Sequence, residues 1–194
     1  MSVSEKKVVI EGSGKHCHVT RETLDALYGK GFELQVKKPL SQPGQFASEQ
    51  KVTVVGPKGQ TVVTIIGPVR KYNQVELSFT DARALGFNDA PIRESGDVKG
   101  SPGCKLIGPA GEATISEGVI IAKRHLHLTP EDAEKFGLKD KQIIKLKVGG
   151  ERALIFDEVV ARVDPNYATY AHLDYDEVNA AALFGDITTG EIIA

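Results

Sequence analysis

Two short stretches, Lys15-His16-Cys17-His18-Val19-Thr20-Arg21-Glu22 and Arg124-His125-Leu126-His127-Leu128-Thr129-Pro130-Glu131, constrain this chain more than any other feature. Each sets two histidines one residue apart and follows them, after one aliphatic residue, with a threonine. Alternate side chains of a β-strand share a face, so His16 and His18 point one way, as do His125 and His127. Threonine is a good helix N-cap, and Pro130 suits the first helical position. Both copies therefore read as a strand that carries paired imidazoles and runs straight into a capped helix. The two pairs use all but one of the five histidines; the fifth is His172, in Ala171-His172-Leu173-Asp174.

The rest of the chain is written mostly in short β runs broken by glycine and proline. Residues 8–10, 32–36, 52–55, 62–66, 74–79, 142–148, 152–156, 159–163 and 168–173 read as strands. In residues 74–79, Val75, Leu77 and Phe79 share a face and Glu76 lies on the other. Gly56-Pro57-Lys58-Gly59 and Gly108-Pro109-Ala110-Gly111 repeat one turn signal, while residues 37–44 and 88–103 read as loops. Helices start at Thr20, Thr80, Thr129 and Asp174; the last is expected over 178–184, stopped at Gly185. Residues 188–194 carry no clear signal. This pattern predicts a mainly β fold with short helices, built as two similar β-barrel domains related by internal duplication. The first is expected over 14–123. The second takes 124–194 together with 1–13, whose strand at 8–10 crosses over to join it.

Composition removes several function classes. With 24 basic and 26 acidic residues among 194, the formal charge of −2 gives no general basic field for nucleic acid. No run approaches the roughly 18 apolar residues of a membrane span. Two cysteines, Cys17 and Cys104, make no disulfide framework, and no signal peptide precedes the first motif. The reading is a cytoplasmic protein without nucleic-acid or membrane partners; a homo-oligomer is compatible with it.

Paired imidazoles in two equivalent places point to metal. Imidazole suits zinc and its neighbours, and a catalytic zinc keeps three protein ligands and one open position. Each pair therefore needs a third ligand, for which His172 and Glu76 are the candidates, with either able to serve either pair. Cys17, between two histidines, faces the other way and reads as core. Arg70 ends a strand just before Glu76, a place suited to a phosphate or carboxylate. Ser95-Gly96, in the long loop, offers a hydroxyl and backbone donors to an anion. Neither a Ser-His-Asp nor a Cys-His arrangement is visible, which favours direct transfer over a covalent enzyme intermediate.

Taken together, these residues resemble the PduL-type phosphate acyltransferases, the phosphate propanoyltransferase family. The resemblance spans almost the whole chain: both His-x-His motifs, Lys37-Lys38-Pro39-Leu40-Ser41-Gln42-Pro43-Gly44-Gln45-Phe46-Ala47, Gly67-Pro68-Val69-Arg70, Gln74-Val75-Glu76-Leu77-Ser78, Ser95-Gly96-Asp97, Gly100-Ser101-Pro102-Gly103 and His172-Leu173-Asp174. It implies two β-barrel domains with an active site between them and exchange of coenzyme A and phosphate on a short acyl group. It implies further that His16, His18 and Glu76 hold one zinc and His125, His127 and His172 a second, with Arg70 binding phosphate and Ser95 nearby. The chain departs from the family pattern at Lys15 and Cys17, where arginine and an aliphatic residue are usual. Members packaged in microcompartments carry an N-terminal amphipathic extension, and the few residues before His16 favour a free cytosolic enzyme. The alternatives are a zinc-dependent thioester or phosphoester hydrolase and a non-catalytic metal-binding barrel protein.

Overall fold

The computed structural model describes residues 6–184 and 188–193. It is mainly β, with four short helices, as the sequence predicts. Strands β1 (Lys7–Ser13) and β2 (His16–His18) lead into helix α1 (Arg21–Tyr28). Strands β3 (Val36–Pro39), β4 (Phe46–Val55), β5 (Gln60–Gly67) and β6 (Gln74–Leu77) lead into α2 (Phe79–Leu85). Then come β7 (Ile92–Arg93), β8 (Cys104–Ile107), β9 (Glu112–Ile115), β10 (Val119–Ala122) and β11 (His125–Leu128), before α3 (Pro130–Phe136). Strands β12 (Ile143–Val148), β13 (Leu154–Val163) and β14 (Tyr170–Asp174) precede α4 (Tyr175–Ala180), and β15 (Thr188–Ile193) follows. No helix among the described residues is long and apolar enough to cross a membrane.

The chain divides into two compact units. One, the barrel unit, takes the chain up to Ser13, the tripeptide Ser41–Pro43, and the chain from Lys123 onward. Its strands close into a six-stranded barrel in the order β1-β14-β11-β13-β12-β15. The other, the sheet unit, takes Gly14–Leu40 and Gly44–Ala122. It is a nine-stranded sheet ordered β7-β10-β6-β2-β5-β4-β8-β9, with β3 added on β4, and it curls into a half-barrel without closing.

Strand alternation fills both cores. In β12, Ile144, Leu146 and Val148 point inward while Ile143, Lys145 and Lys147 face out. They pack with Leu126, Leu128, Val159, Ala171 and Leu173. The sheet unit gathers Val54, Ile65, Val75 and Leu106 in the same way, with Leu24 and Leu27 packed onto them from α1. Each such side chain, fully buried, contributes about 1.5–3 kcal/mol over its exposed state. A one-residue slip of register would turn each set outward, so these cores also fix the pairing.

Both units share one four-strand device. In the sheet unit β2 runs antiparallel to β6 and parallel to β5, and β10 lies parallel on β6. In the barrel unit β11 runs antiparallel to β14 and parallel to β13, and β1 lies parallel on β14. Each central strand stops at a helix cap. Thr20, Ser78, Thr129 and Asp174 accept from the backbone N–H three residues on, at 3.1, 3.3, 3.1 and 2.9 Å. Strands β1 and β10 occupy equivalent places, yet each sits in the unit that does not contain the strand it runs into.

Several elements differ from the sequence reading. The strand expected over 32–36 is displaced to Val36–Pro39, wholly exposed, while Phe32 and Leu34 pack on the core as irregular chain. Pro39 is tolerated there because β3 is an edge strand. Strand β6 ends at Leu77, since Ser78 rather than Thr80 caps α2. Phe79 is thus half exposed on a helix, not inside a strand. The strands expected at 152–156 and 159–163 are one, β13, which turns through Glu158 at φ 56°. The segment 188–193 is a strand, and the helix expected over 178–184 spans Tyr175–Ala180. The expected stop at Gly185 lies outside the described residues.

The two Gly-Pro-x-Gly turns are built alike. Gly56 N–H bonds Gly59 O and Gly108 N–H bonds Gly111 O, each at 2.8 Å. The third residue of each turn then bonds a carbonyl near a helix end: Lys58 to Leu85, Ala110 to Leu27, both 2.9 Å. A Cβ on Gly108 would stand 2.4 Å from the Leu27 oxygen and 2.8 Å from its Cβ. Backbone cannot yield there as a flexible side chain would. Gly108→Ala is expected to lower stability by about 1–3 kcal/mol, the range of an overpacked site. A urea midpoint equal to that of the parent would show that α1 and the turn are free to separate.

Candidate active site

The first candidate cluster forms where β2 meets β6. Cys17 turns into the core, fully buried, and leaves His16 and His18 on the opposite face. Antiparallel register sets Glu76 across from His16. One ligand atom from each of His16, His18 and Glu76 lies within 4.8 Å of the others. Glu76 Oε1 stands 3.4 Å from His16 Nε2 and 3.7 Å from His18 Nε2. The tautomers follow from the other ring nitrogens. His16 Nδ1 is 2.8 Å from Gly14 O, and His18 Nδ1 is 3.2 Å from Ile66 O. A carbonyl oxygen only accepts, so both Nδ1 atoms carry hydrogen, and the Nε2 lone pairs of the neutral rings face Glu76.

The second cluster repeats this on β11 and β14. Register sets His172 across from His125, the place Glu76 holds across from His16. His125, His127 and His172 again bring ligand atoms within 4.8 Å of one another. Ring centroids are 4.6 Å apart for His125–His127, 5.1 Å for His125–His172 and 5.0 Å for His127–His172. His125 Nδ1 sits 2.8 Å from Lys123 O, two residues back, as His16 does from Gly14. His172 Nδ1 faces the Glu11 carboxylate of β1 at 3.9 Å. Ser41 donates to that carboxylate at 2.5 Å, and the Gln42 amide pairs both ways with the Ala168 backbone.

Both donor sets fit zinc. One is three imidazoles, the other two imidazoles and a carboxylate, and both occur at three-ligand zinc centres that keep an open position. The backbone carbonyls that fix the tautomers are the usual outer partners of zinc-binding histidines.

Arg70 follows β5, and its backbone N–H bonds Val19 O at 2.9 Å. Its guanidinium donates to Tyr72 Oη at 3.1 Å, Ser95 Oγ at 3.3 Å and Gln45 Oε1 at 3.3 Å. All three partners are neutral, so the charge is placed without being cancelled. The sequence-predicted pair Arg70 and Ser95 are therefore in direct contact. Gln74, Tyr72, Gln45 and Glu11 were given no role by the sequence. For Gln74 a signal exists: it stands two residues before Glu76 on one strand, hence on the same face. A glutamine on a ligand-bearing face, at a position that proves fully buried, is costly unless it is bonded.

Burial pushes the His18 imidazole down to about 3, aided by the charges of His16 and Arg70. For His16, burial also acts downward, but the Glu76 carboxylate and the Gly14 carbonyl outweigh it and the net shift is upward. Burial raises the Cys104 thiol to about 12 and Cys17 further, so neither offers a thiolate.

A mainly β protein with two three-residue zinc-type donor sets, one beside a charged arginine, is the class this geometry defines. The chain belongs to the phosphate propanoyltransferase family, whose model matches residues 9–184. It is similar to the phosphate propanoyltransferase of Listeria monocytogenes, at 50% identity over 97% of this chain and 88% of that protein. It is likewise similar to that of Enterococcus faecalis, at 53% identity over 90% and 82%. For Thermotoga maritima the figures are 49% identity over 97% and 89%.

In protein freed of metal by a chelator, the two rings of the first cluster should titrate against folding in opposite directions. His18, lowered to about 3, favours the fold above the ordinary 6.5, and that stability drains away as pH falls from 6.5 toward 3. His16, raised, favours the fold below 6.5, and its contribution is lost as pH rises through its folded pKa. His18→Leu should therefore flatten the acid limb of urea midpoint against pH while the alkaline limb persists. An acid limb unchanged in His18→Leu would contradict a buried neutral ring.

Proposed function

We propose that the protein exchanges coenzyme A and inorganic phosphate on a short acyl group, with His16, His18 and Glu76 holding one zinc and His125, His127 and His172 a second. Arg70 carries this reading. Its positive charge is held by neutral partners, and that charge acts downward on both imidazoles, reinforcing burial at His18 and opposing Glu76 at His16, so it reaches the space around the first cluster. The name of the relatives, phosphate propanoyltransferase, supports a propanoyl group and phosphate as substrates.

In one direction a phosphate oxygen attacks the thioester carbonyl carbon. A C–O bond forms, the C–S bond breaks, and the departing coenzyme A sulfur takes up the proton that phosphate gives up. Bound zinc supplies Lewis acidity for the carbonyl oxygen and for the developing thiolate. The planar fork of Arg70 binds phosphate oxygens in pairs and offsets their charge, which a point-charge lysine does less well. Holding the nucleophile against the carbonyl in this way is worth up to several kcal/mol of the barrier. Ser95 Oγ accepts from Arg70 at 3.3 Å and from Gln74 Nε2 at 2.9 Å. With both lone pairs engaged, its own hydrogen is what it offers an anion.

Coenzyme A release from acetyl- and propionyl-CoA should require added phosphate. Release at the same rate without phosphate would make the protein a thioester hydrolase instead. Arg70→Lys should raise the apparent phosphate constant roughly ten-fold, about the worth of one charge-assisted hydrogen bond, and leave metal content intact. Unaltered kinetics would place Arg70 outside the phosphate position.

Metal analysis of purified protein should find one to two zinc ions per chain. His125→Ala/His127→Ala should remove about one of them, because a single remaining imidazole cannot hold the ion. Equal metal content in parent and double variant would exclude the second site.

A further inference from the structure

We propose that Gln74 is a positioning residue that couples the Glu76 carboxylate to the Ser95-Gly96 turn, so that the first metal site and the phosphate position are set by one amide. This rests on the zinc and phosphate roles proposed above.

Gln74 is fully buried, and both of its amide hydrogens and its amide oxygen are engaged. Nε2 has two hydrogens: one goes to Glu76 Oε1 at 2.5 Å, the other to Ser95 Oγ at 2.9 Å. Oε1 accepts from Gly96 N–H at 2.7 Å. Ser95 Oγ in turn accepts from Arg70. A continuous chain therefore runs from carboxylate through amide and hydroxyl to guanidinium, all within the sheet unit.

The chemistry of each link selects glutamine. A carboxylate that ligates metal offers only acceptors, so the neighbour that orients the buried Glu76 must donate, as Gln74 Nε2 does. A donor that fixes one oxygen also sets the rotation of the carboxylate, hence the direction of its other lone pairs. Glutamate at position 74 could not donate, and asparagine is shorter by a methylene. The carbonyl end is needed as well. Gly96 has φ +98°, a conformation open chiefly to glycine, and a Cβ there would meet Tyr72 Oη at 3.2 Å. Glycine's wide conformational freedom leaves such a turn free to move, and the bond from its N–H to Gln74 Oε1 restrains it.

The duplicated unit supplies a contrast. Across from His127 the position equivalent to Gln74 is Tyr170, and the third member of that cluster is His172, not a carboxylate. The donor amide occurs only where there is a carboxylate to orient. The neighbouring strand agrees: β1 sets Glu11 beside His172, while β10 sets the buried Ile120 beside Glu76, where a second acid would repel.

The test is Gln74→Met, which keeps length and volume and removes all three bonds. In metal-free protein, hydrogen exchange at Gly96 should quicken at least ten-fold. Chelator competition should show zinc at the first site held roughly ten- to a hundred-fold more weakly, the usual effect of removing an outer partner, with the second site unchanged. The apparent phosphate constant should rise as well. Ser95→Ala is the companion variant. It keeps the Gln74–Glu76 bond, so it should raise the phosphate constant while zinc affinity stays at the parent value, and it stands in if Gln74→Met does not fold. Zinc affinity and Gly96 exchange unchanged in Gln74→Met, or zinc affinity lost in Ser95→Ala, would overturn the proposal. A parent protein that takes up no zinc would instead remove the reading on which it rests.

Discussion

Everything in the candidate site depends on the register between two short antiparallel strands, made twice. Period-two alternation puts two imidazoles on one face of β2 and β11, but a pair is not a site. The third group arrives because β6 and β14 pair in one particular register, which sets Glu76 against His16 and His172 against His125. A shift by one residue would exchange Glu76 for a core valine or leucine. The register is held from outside the ligands, by the buried Val75 and Leu77 on one strand and Ala171 and Leu173 on the other. Packing of apolar side chains thus sets the position of polar ones.

The helix caps belong to the same constraint. Each ligand strand stops because Thr20, Ser78, Thr129 or Asp174 turns the chain into a helix. A capped helix end satisfies backbone donors that would otherwise be orphaned where the strand ends. It also anchors the strand, because α1 buries Leu24 and Leu27 and α3 buries Ala133 and Phe136. Short strands of three to five residues would be weak in isolation; a helix docked on the core at one end and a paired strand on each side make them rigid.

Much of this was legible in the sequence, and the divisions are physical. Local signals were enough where local forces decide: the shared face of His16 and His18, the caps at Thr20 and Thr129, and the paired Gly-Pro-x-Gly turns. Position along the chain was harder where a choice between neighbours turned on tertiary packing. Ser78 and Thr80 are both acceptable caps, and the burial of Leu77 settles the matter. Strand β3 falls on a stretch with lysines and a proline because an edge needs no buried face. Contacts between distant residues left no local trace at all. Nothing near Gln74 in the sequence names Gly96 as its partner, and nothing near Glu11 names His172. The family resemblance supplied the grouping of the ligands, which periodicity alone left open.

Strand β1 precedes in the chain, by a long interval, the strands that complete it. Its neighbours in the barrel are β14 and β15, so it has neither partner until synthesis has passed β14. At about 5–20 residues per second, that interval is on the order of ten to thirty seconds. The sheet unit, apart from the Ser41–Pro43 tripeptide, is a continuous stretch whose partners all emerge before residue 123. Translation therefore imposes an order on assembly: the open sheet forms early, and the barrel closes only when β14 and β15 arrive to receive a strand that has been waiting. During that time β1 presents Val8 and Ile10 with both edges unpaired, a template on which another chain could pair.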